Sequence, residues 1–281
     1  MAFGGENSES YYDDGLTASM KGDFVSAIRC FEKAVKLDSS NAAAYHQLGK
    51  CYMRIGDGAK AVDILMHVVG KRPGQTLARL DLGYALLNLG RTAEARRQFE
   101  QIISTDPGSA RGMLGLAQAC FDEGNWQAAM TNAQHVVDRG GSNFSALFLL
   151  GRAARLSGWP DIGELALERA DKLIEKSIEL NPEQPEGHYF RGEVLFVREK
   201  YSSALECYRA AEDRLDRQHA DKIYTAFGEQ FTGDDLLAKQ GLCYQRLGSH
   251  DRAKEFGERL LKRNPEHKIG QALAGLGSPE E

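Results

Sequence analysis

The residues of this chain with the widest chemical reach are five cysteines (Cys30, Cys51, Cys120, Cys207 and Cys243) and seven histidines, at positions 46, 67, 135, 188, 219, 250 and 267. A thiolate or an imidazole can serve as nucleophile, general base or zinc ligand, but each role needs a second group at a set spacing. No Cys-x-x-Cys pair occurs, and no histidine stands at ligand spacing from another histidine or a cysteine. The His-Glu-x-x-His, P-loop, Gly-x-Gly-x-x-Gly and Gly-x-Ser-x-Gly motifs are absent. Each cysteine falls inside an apolar helical pattern, where a thiol behaves as a small hydrophobe. The carboxylates follow 3.6-residue patterns that read as solvated helix faces. The expectation is no catalytic residue, no metal site, no cofactor and no enzymatic activity.

The elements that carry these residues announce themselves by a period. With 281 residues, 42% hydrophobic and 27% charged, the composition is that of a folded soluble chain. The net charge of −5 disfavours nucleic acid as a partner, because phosphate neutralisation needs a concentrated basic face. No apolar run is long enough for a membrane span, and the start, MAFGGENSES, lacks the pattern of a secretory signal, so the expected location is cytoplasmic. Aligning the segments from Tyr45 and Arg79 on their Leu-Gly pairs gives a shift of 34 residues at Leu48-Gly49/Leu82-Gly83, Gly56/Gly90 and Ala61/Ala95. The same period joins Gly15, Gly49 and Gly83, then Gly22, Gly56, Gly90, Gly124 and Gly158, then Ala27, Ala61, Ala95 and Ala129.

These columns resemble the tetratricopeptide-repeat (TPR) family, whose 34-residue pattern runs W-x2-L-G-x2-Y, A-x3-F and a closing proline. Tyr45, Leu48, Gly49, Tyr52, Ala61 and Pro73 carry it in the second repeat, and Leu82, Gly83, Ala95, Phe99 and Pro107 in the third. The resemblance implies an all-α, right-handed superhelical solenoid of about seven helix-turn-helix repeats with a short C-terminal capping helix. The reading places a flexible tail at 1–7 and repeats at 8–41, 42–75, 76–109, 110–143, 144–184, 185–218 and 234–267. An irregular insertion falls at 219–233, and a cap and polar tail at 268–281. Glycines in the first helix (Gly15, Gly49, Gly83, Gly151, Gly192, Gly241) cost about 1 kcal/mol each in helix propensity, which points to a close helix–helix approach. Those of the next column suit a left-handed cap after that helix. Repeat five is seven residues too long. Either its second helix, near Asp161 to Leu180, runs two turns further and projects about 10 Å, or a loop is inserted at Trp159-Pro160.

In the resembled family the first helices line a concave face and bind through the second, fifth, ninth, twelfth and thirteenth repeat positions. Carried onto this chain, that implies a peptide-binding groove of Tyr12, Leu16, His46, Lys50, Met53, Arg54, Leu80, Tyr84, Leu87, Arg111, Leu114, Gln118, Phe121, Phe148, Arg152, Arg155, Tyr189 and Phe196. Across repeats two to five, Lys50, Arg54, Arg111, Arg152 and Arg155 stand against only Asp122, so the middle of the groove reads as basic. The expected partner is a protein segment, extended or helical, with apolar anchors and acidic residues. A subgroup of the family clamps chaperone C-termini with lysine, asparagine and arginine; here the matching positions hold Tyr12, Leu16, His46, Lys50, Leu80 and Tyr84, so that clamp is missing. In the 219–233 insertion, Tyr224, Phe227 and Phe231 are expected to pack locally on repeats six and seven rather than on a partner. The competing function is self-association into homo-oligomers, favoured by a weak cap at 269–276.

Overall fold

The computed structural model describes residues 7–140, 143–216, 222–226 and 229–275. They divide into two compact units, one ending at Val136 and the other beginning at Val137.

The first unit alternates first and second helices: α1 (Ser8–Met20), α2 (Phe24–Leu37), α3 (Ala42–Arg54), α4 (Gly58–Lys71), α5 (Thr76–Asn88), α6 (Thr92–Thr105), α7 (Ala110–Asp122) and α8 (Trp126–Asp138). Most starts are written locally, while α5 and α6 begin without a side-chain cap. The side chains of Asn7, Asp23, Asn41, Asp57 and Ser109 accept hydrogen bonds from backbone N–H groups three residues on, satisfying donors that have no intrahelical partner. The turn between first and second helix passes through a left-handed residue; Gly56 has φ 80°, a region costly for any side chain. The first-helix glycines let the second helix send one large side chain inward. A Cβ on Gly83 would stand 2.5 Å from the Phe99 ring, and one on Gly15 2.6 Å from Phe31. Phe31, Leu65 and Phe99 are fully buried as a result. Successive first helices also touch one another, α1 on α3, α3 on α5 and α5 on α7, so they form one layer.

The second unit contains α9 (Phe144–Leu156), α10 (Pro160–Leu180), α11 (Pro185–Val197), α12 (Tyr201–Glu212), strands β1 (Tyr224–Ala226) and β2 (Glu229–Phe231), α13 (Gly233–Arg246), α14 (His250–Arg263) and α15 (Lys268–Leu273). The seven-residue excess is helix, not loop: α10 has 21 residues against 12 to 14 in the other second helices. Its additional turns bury Ile174 and set Ile178 against Gly187 of α11, where a Cβ would lie 2.9 Å from Ile178. Ion pairs fasten the same two helices. Arg198, almost buried, reaches Glu164, Glu168 and Asp171, while Arg191 reaches Asp171 and Glu175.

The insertion expected to be irregular contains an antiparallel strand pair that sets Tyr224 opposite Phe231, so the described residues are all-α apart from these two short strands. Alternation places Tyr224 and Phe231 on one strand face, and both are buried; the Phe231 ring stacks on Tyr189 of α11 with centroids 3.9 Å apart. These two aromatics pack locally, as expected, whereas Phe227 lies outside the described residues. Helix α15 closes the last helix pair. Leu273 fills the space over Gly241 and Gly257 and is itself buried, so α15 covers this part of the last helix pair.

Candidate peptide-binding face

In the first unit the layer of first helices presents Tyr12, Leu16, Met53, Tyr84, Leu87, Leu114, Gln118 and Phe121 half-buried. The tyrosines are anchored from below: Tyr12 meets Phe31 with ring centroids 5.8 Å apart, and Tyr84 meets Phe99 edge-on at 5.3 Å. Lys50, Arg54 and Arg111 are exposed. Aromatic edges held by a rigid core, with cations nearby, can take an apolar segment and pair with its carboxylates.

Four expected groove residues are core instead. His46, Leu80, Phe148 and Tyr189 are each exposed by less than a tenth. All four occupy the fifth position of their repeats. Burial there depends on the repeat, since Tyr12 and Leu114 hold the same position half-open; among the expected groove residues the ninth, twelfth and thirteenth positions all stay partly open or exposed. His46 uses its ring to join two first helices, Nε2 lying 2.7 Å from Asp81 Oδ2. Tyr189 is sealed by the strand pair through Phe231.

In the second unit Arg152, Arg155 and Phe196 are half-buried, but the expected excess of positive charge is cancelled locally. The Arg155 guanidinium lies 2.6 Å from Glu199 and 4.0 Å from Glu164. Arg152 lies over the Phe148 ring at 5.4 Å. Glu193 accepts hydrogen bonds from the Tyr208 hydroxyl and from Lys239, both at 2.7 Å. Asp81, Glu199 and Lys239 were therefore missing from the sequence-derived set. Asp81 stands one period plus one residue beyond His46, and Glu199 stands seven after Gly192, where other repeats carry the turn glycine. That spacing was the available signal.

Four of the five cysteines are held quiet. Burial pushes the thiol of Cys207 up to about 11 and that of Cys243 to about 12, and raises Cys51 and Cys120, so these sulfurs stay protonated and weakly nucleophilic. Among the described residues no group of three or more His, Cys, Asp or Glu is placed to hold a metal, and no helix is long and apolar enough to cross a membrane.

Paired antiparallel helices, glycines under inward aromatics and a layer of first helices define a helical-repeat protein. Tetratricopeptide repeat family models match residues 19–80, 80–134 with 164–220, and 235–267. The chain belongs to the tetratricopeptide-repeat family. Among solved structures it is similar to a tetratricopeptide repeat protein from Parabacteroides merdae, at 13% identity and TM-score 0.65 over 97% of this chain and 99% of that one. MamA from Desulfovibrio magneticus is similar at 19% identity and TM-score 0.56, over 62% of this chain and 97% of that one. A chain of the APC/C hetero-tetramer Cut9–Hcn1 is similar at 18% identity and TM-score 0.60, over 93% of this chain and 48% of that one. No curated protein sequence matches. At these identities the likeness is one of fold.

Proposed function

We propose that this protein is a non-enzymatic interaction scaffold. Its first unit takes an apolar and acidic segment of a partner protein on the face formed by α1, α3, α5 and α7. The observation that carries this reading is the row of half-buried Tyr12, Leu16, Met53, Tyr84 and Leu87 beside exposed Lys50 and Arg54. Such a surface retains apolar area that a ligand can cover and cations that orient its carboxylates. Membership of an interaction-repeat family supports the coarse reading, and a structurally similar chain is found within a hetero-tetramer. The test is selection from a random-peptide library on the immobilised protein. Enriched sequences should combine aliphatic or aromatic residues with Asp or Glu, and a Lys50→Glu/Arg54→Glu variant with unchanged helicity should lose them. Equal enrichment by that variant, or enrichment of basic peptides, would remove the first-unit face from consideration. Solution mass across concentration tests the competing reading of self-association.

A further inference from the structure

One helix surface outside that face also lacks a partner. Six large hydrophobics stand exposed between Leu156 and Leu180, including Leu165 at 61% and Leu180 at 80%. At 3.6 residues per turn, Ile162, Leu165, Arg169, Leu173, Lys176 and Leu180 fall within about an 80° arc running the length of α10. The second helices α6, α12 and α14 carry no exposed large hydrophobic among the described residues. α2 exposes Val25 and Leu37, and α4 and α8 expose Met66 and Trp126, so among the described second helices only α10 carries a run of four.

Its charge follows from the inner side of the helix. Glu164, Glu168, Asp171 and Glu175 recur on the side of α10 that faces α11, where Arg191 and Arg198 take them up. Lys172 and Lys176 remain exposed at the middle of the stripe, while Asp161 and Glu179 flank only its two ends. Ion pairs with Arg191 and Arg198 take up four of this helix's six carboxylates, of which Glu168 and Glu175 stay about half-exposed, and the cations at the middle of the apolar ridge are Lys172 and Lys176.

We propose that the outer ridge of α10 docks an amphipathic helix of a second protein, one with aliphatic residues along one face and Asp or Glu beside them. Four aliphatics from Ile162 to Leu180 form a ridge about 27 Å long, matching a partner helix of about five turns. Lys172 and Lys176 supply the complementary charge and set which helices are accepted.

The probe is a fluorescein-labelled 18-residue peptide with leucines on one helical face and flanking glutamates, compared with the same peptide bearing lysines. Fluorescence anisotropy on the full chain should show binding of the acidic peptide and little of the basic one. Lys172→Glu/Lys176→Glu should weaken it by about tenfold or more, and Leu165→Ser/Leu173→Ser by a similar factor. Both pairs are on the surface, and circular dichroism confirms that helicity is retained. The comparison is repeated in a Lys50→Glu/Arg54→Glu background, which removes acidic-peptide binding at the first-helix face, and the binding that remains should still fall with the lysine pair and with the leucine pair. Equal binding of both peptides, or no effect of the lysine pair, overturns the proposal. A protein that doubles in mass, with the acidic peptide excluded from the dimer, overturns it in favour of a second copy of this chain on the ridge.

Discussion

Replacing Glu199 by glycine and, separately, by alanine isolates a backbone term at one residue. Glu199 has φ 62°, the sole positive value of a non-glycine among the described residues, while Gly22, Gly56, Gly90, Gly124, Gly158 and Gly248 occupy the same turn with φ from 70° to 84°. An L-residue pays about 1–2 kcal/mol in this region, and glycine's extra freedom in the unfolded chain returns about 0.4–1 kcal/mol of that difference. Both variants lose the Arg155 pair, which is half-exposed and contributes about 0–1 kcal/mol. The pair cancels between them, so Glu199→Gly should be more stable than Glu199→Ala by about 1 kcal/mol, a factor of about five in the folding equilibrium. Gly56→Ala is the mirror experiment. With φ 80° at that turn, its expected loss of about 1 kcal/mol is backbone strain. Urea denaturation followed by far-ultraviolet circular dichroism reads all three variants. If Glu199→Ala equals or exceeds Glu199→Gly, or if Gly56→Ala costs nothing, the left-handed turn does not carry the strain assigned to it.

Two further outcomes follow from the packing and the caps. Gly83→Val should lose more than about 2 kcal/mol, because its Cβ would meet the Phe99 ring at 2.5 Å and the gain in helix propensity is only about 0.5 kcal/mol. The Gly83→Val/Phe99→Leu pair should lose less than the two singles summed, and simple additivity in thermal unfolding would contradict the contact. The hydrogen bonds Asp57 makes with Lys60 hold its carboxyl below the ordinary 3.8. A depressed carboxyl stabilises the fold above the unfolded value and ceases to do so as pH falls through the folded value. Asp57→Asn keeps the cap but does not titrate, so any stability advantage of the native residue should vanish below about pH 4; an unchanged difference between pH 6 and pH 3 would contradict this.

The helix pairs were legible in the residues because their causes are local or periodic. Caps, turn glycines and glycines beneath large side chains recur every 34 positions, and a seven-residue excess keeps helical phase, as α10 does from Pro160 to Leu180. The face proposed for binding was legible only in part. Position within a repeat says which way a side chain leaves its helix, and that placed Lys50, Tyr84 and Leu87 in half-open or exposed positions. It does not say what arrives from elsewhere in the chain. Stacking within each unit buried His46, Leu80 and Phe148, and a strand pair 42 residues along the chain laid Phe231 over Tyr189. Charge behaved alike. Arg155 lies 44 residues from the Glu199 that neutralises it, and four acids of α10 are paired by Arg191 of α11 and by Arg198 at its end. The sequence by itself determined the repeat and its helices, since these rest on interactions within a few turns or one period. Only the tertiary structure decided which surfaces stay open and with what charge, because burial and ion pairing depend on the neighbours a fold brings together.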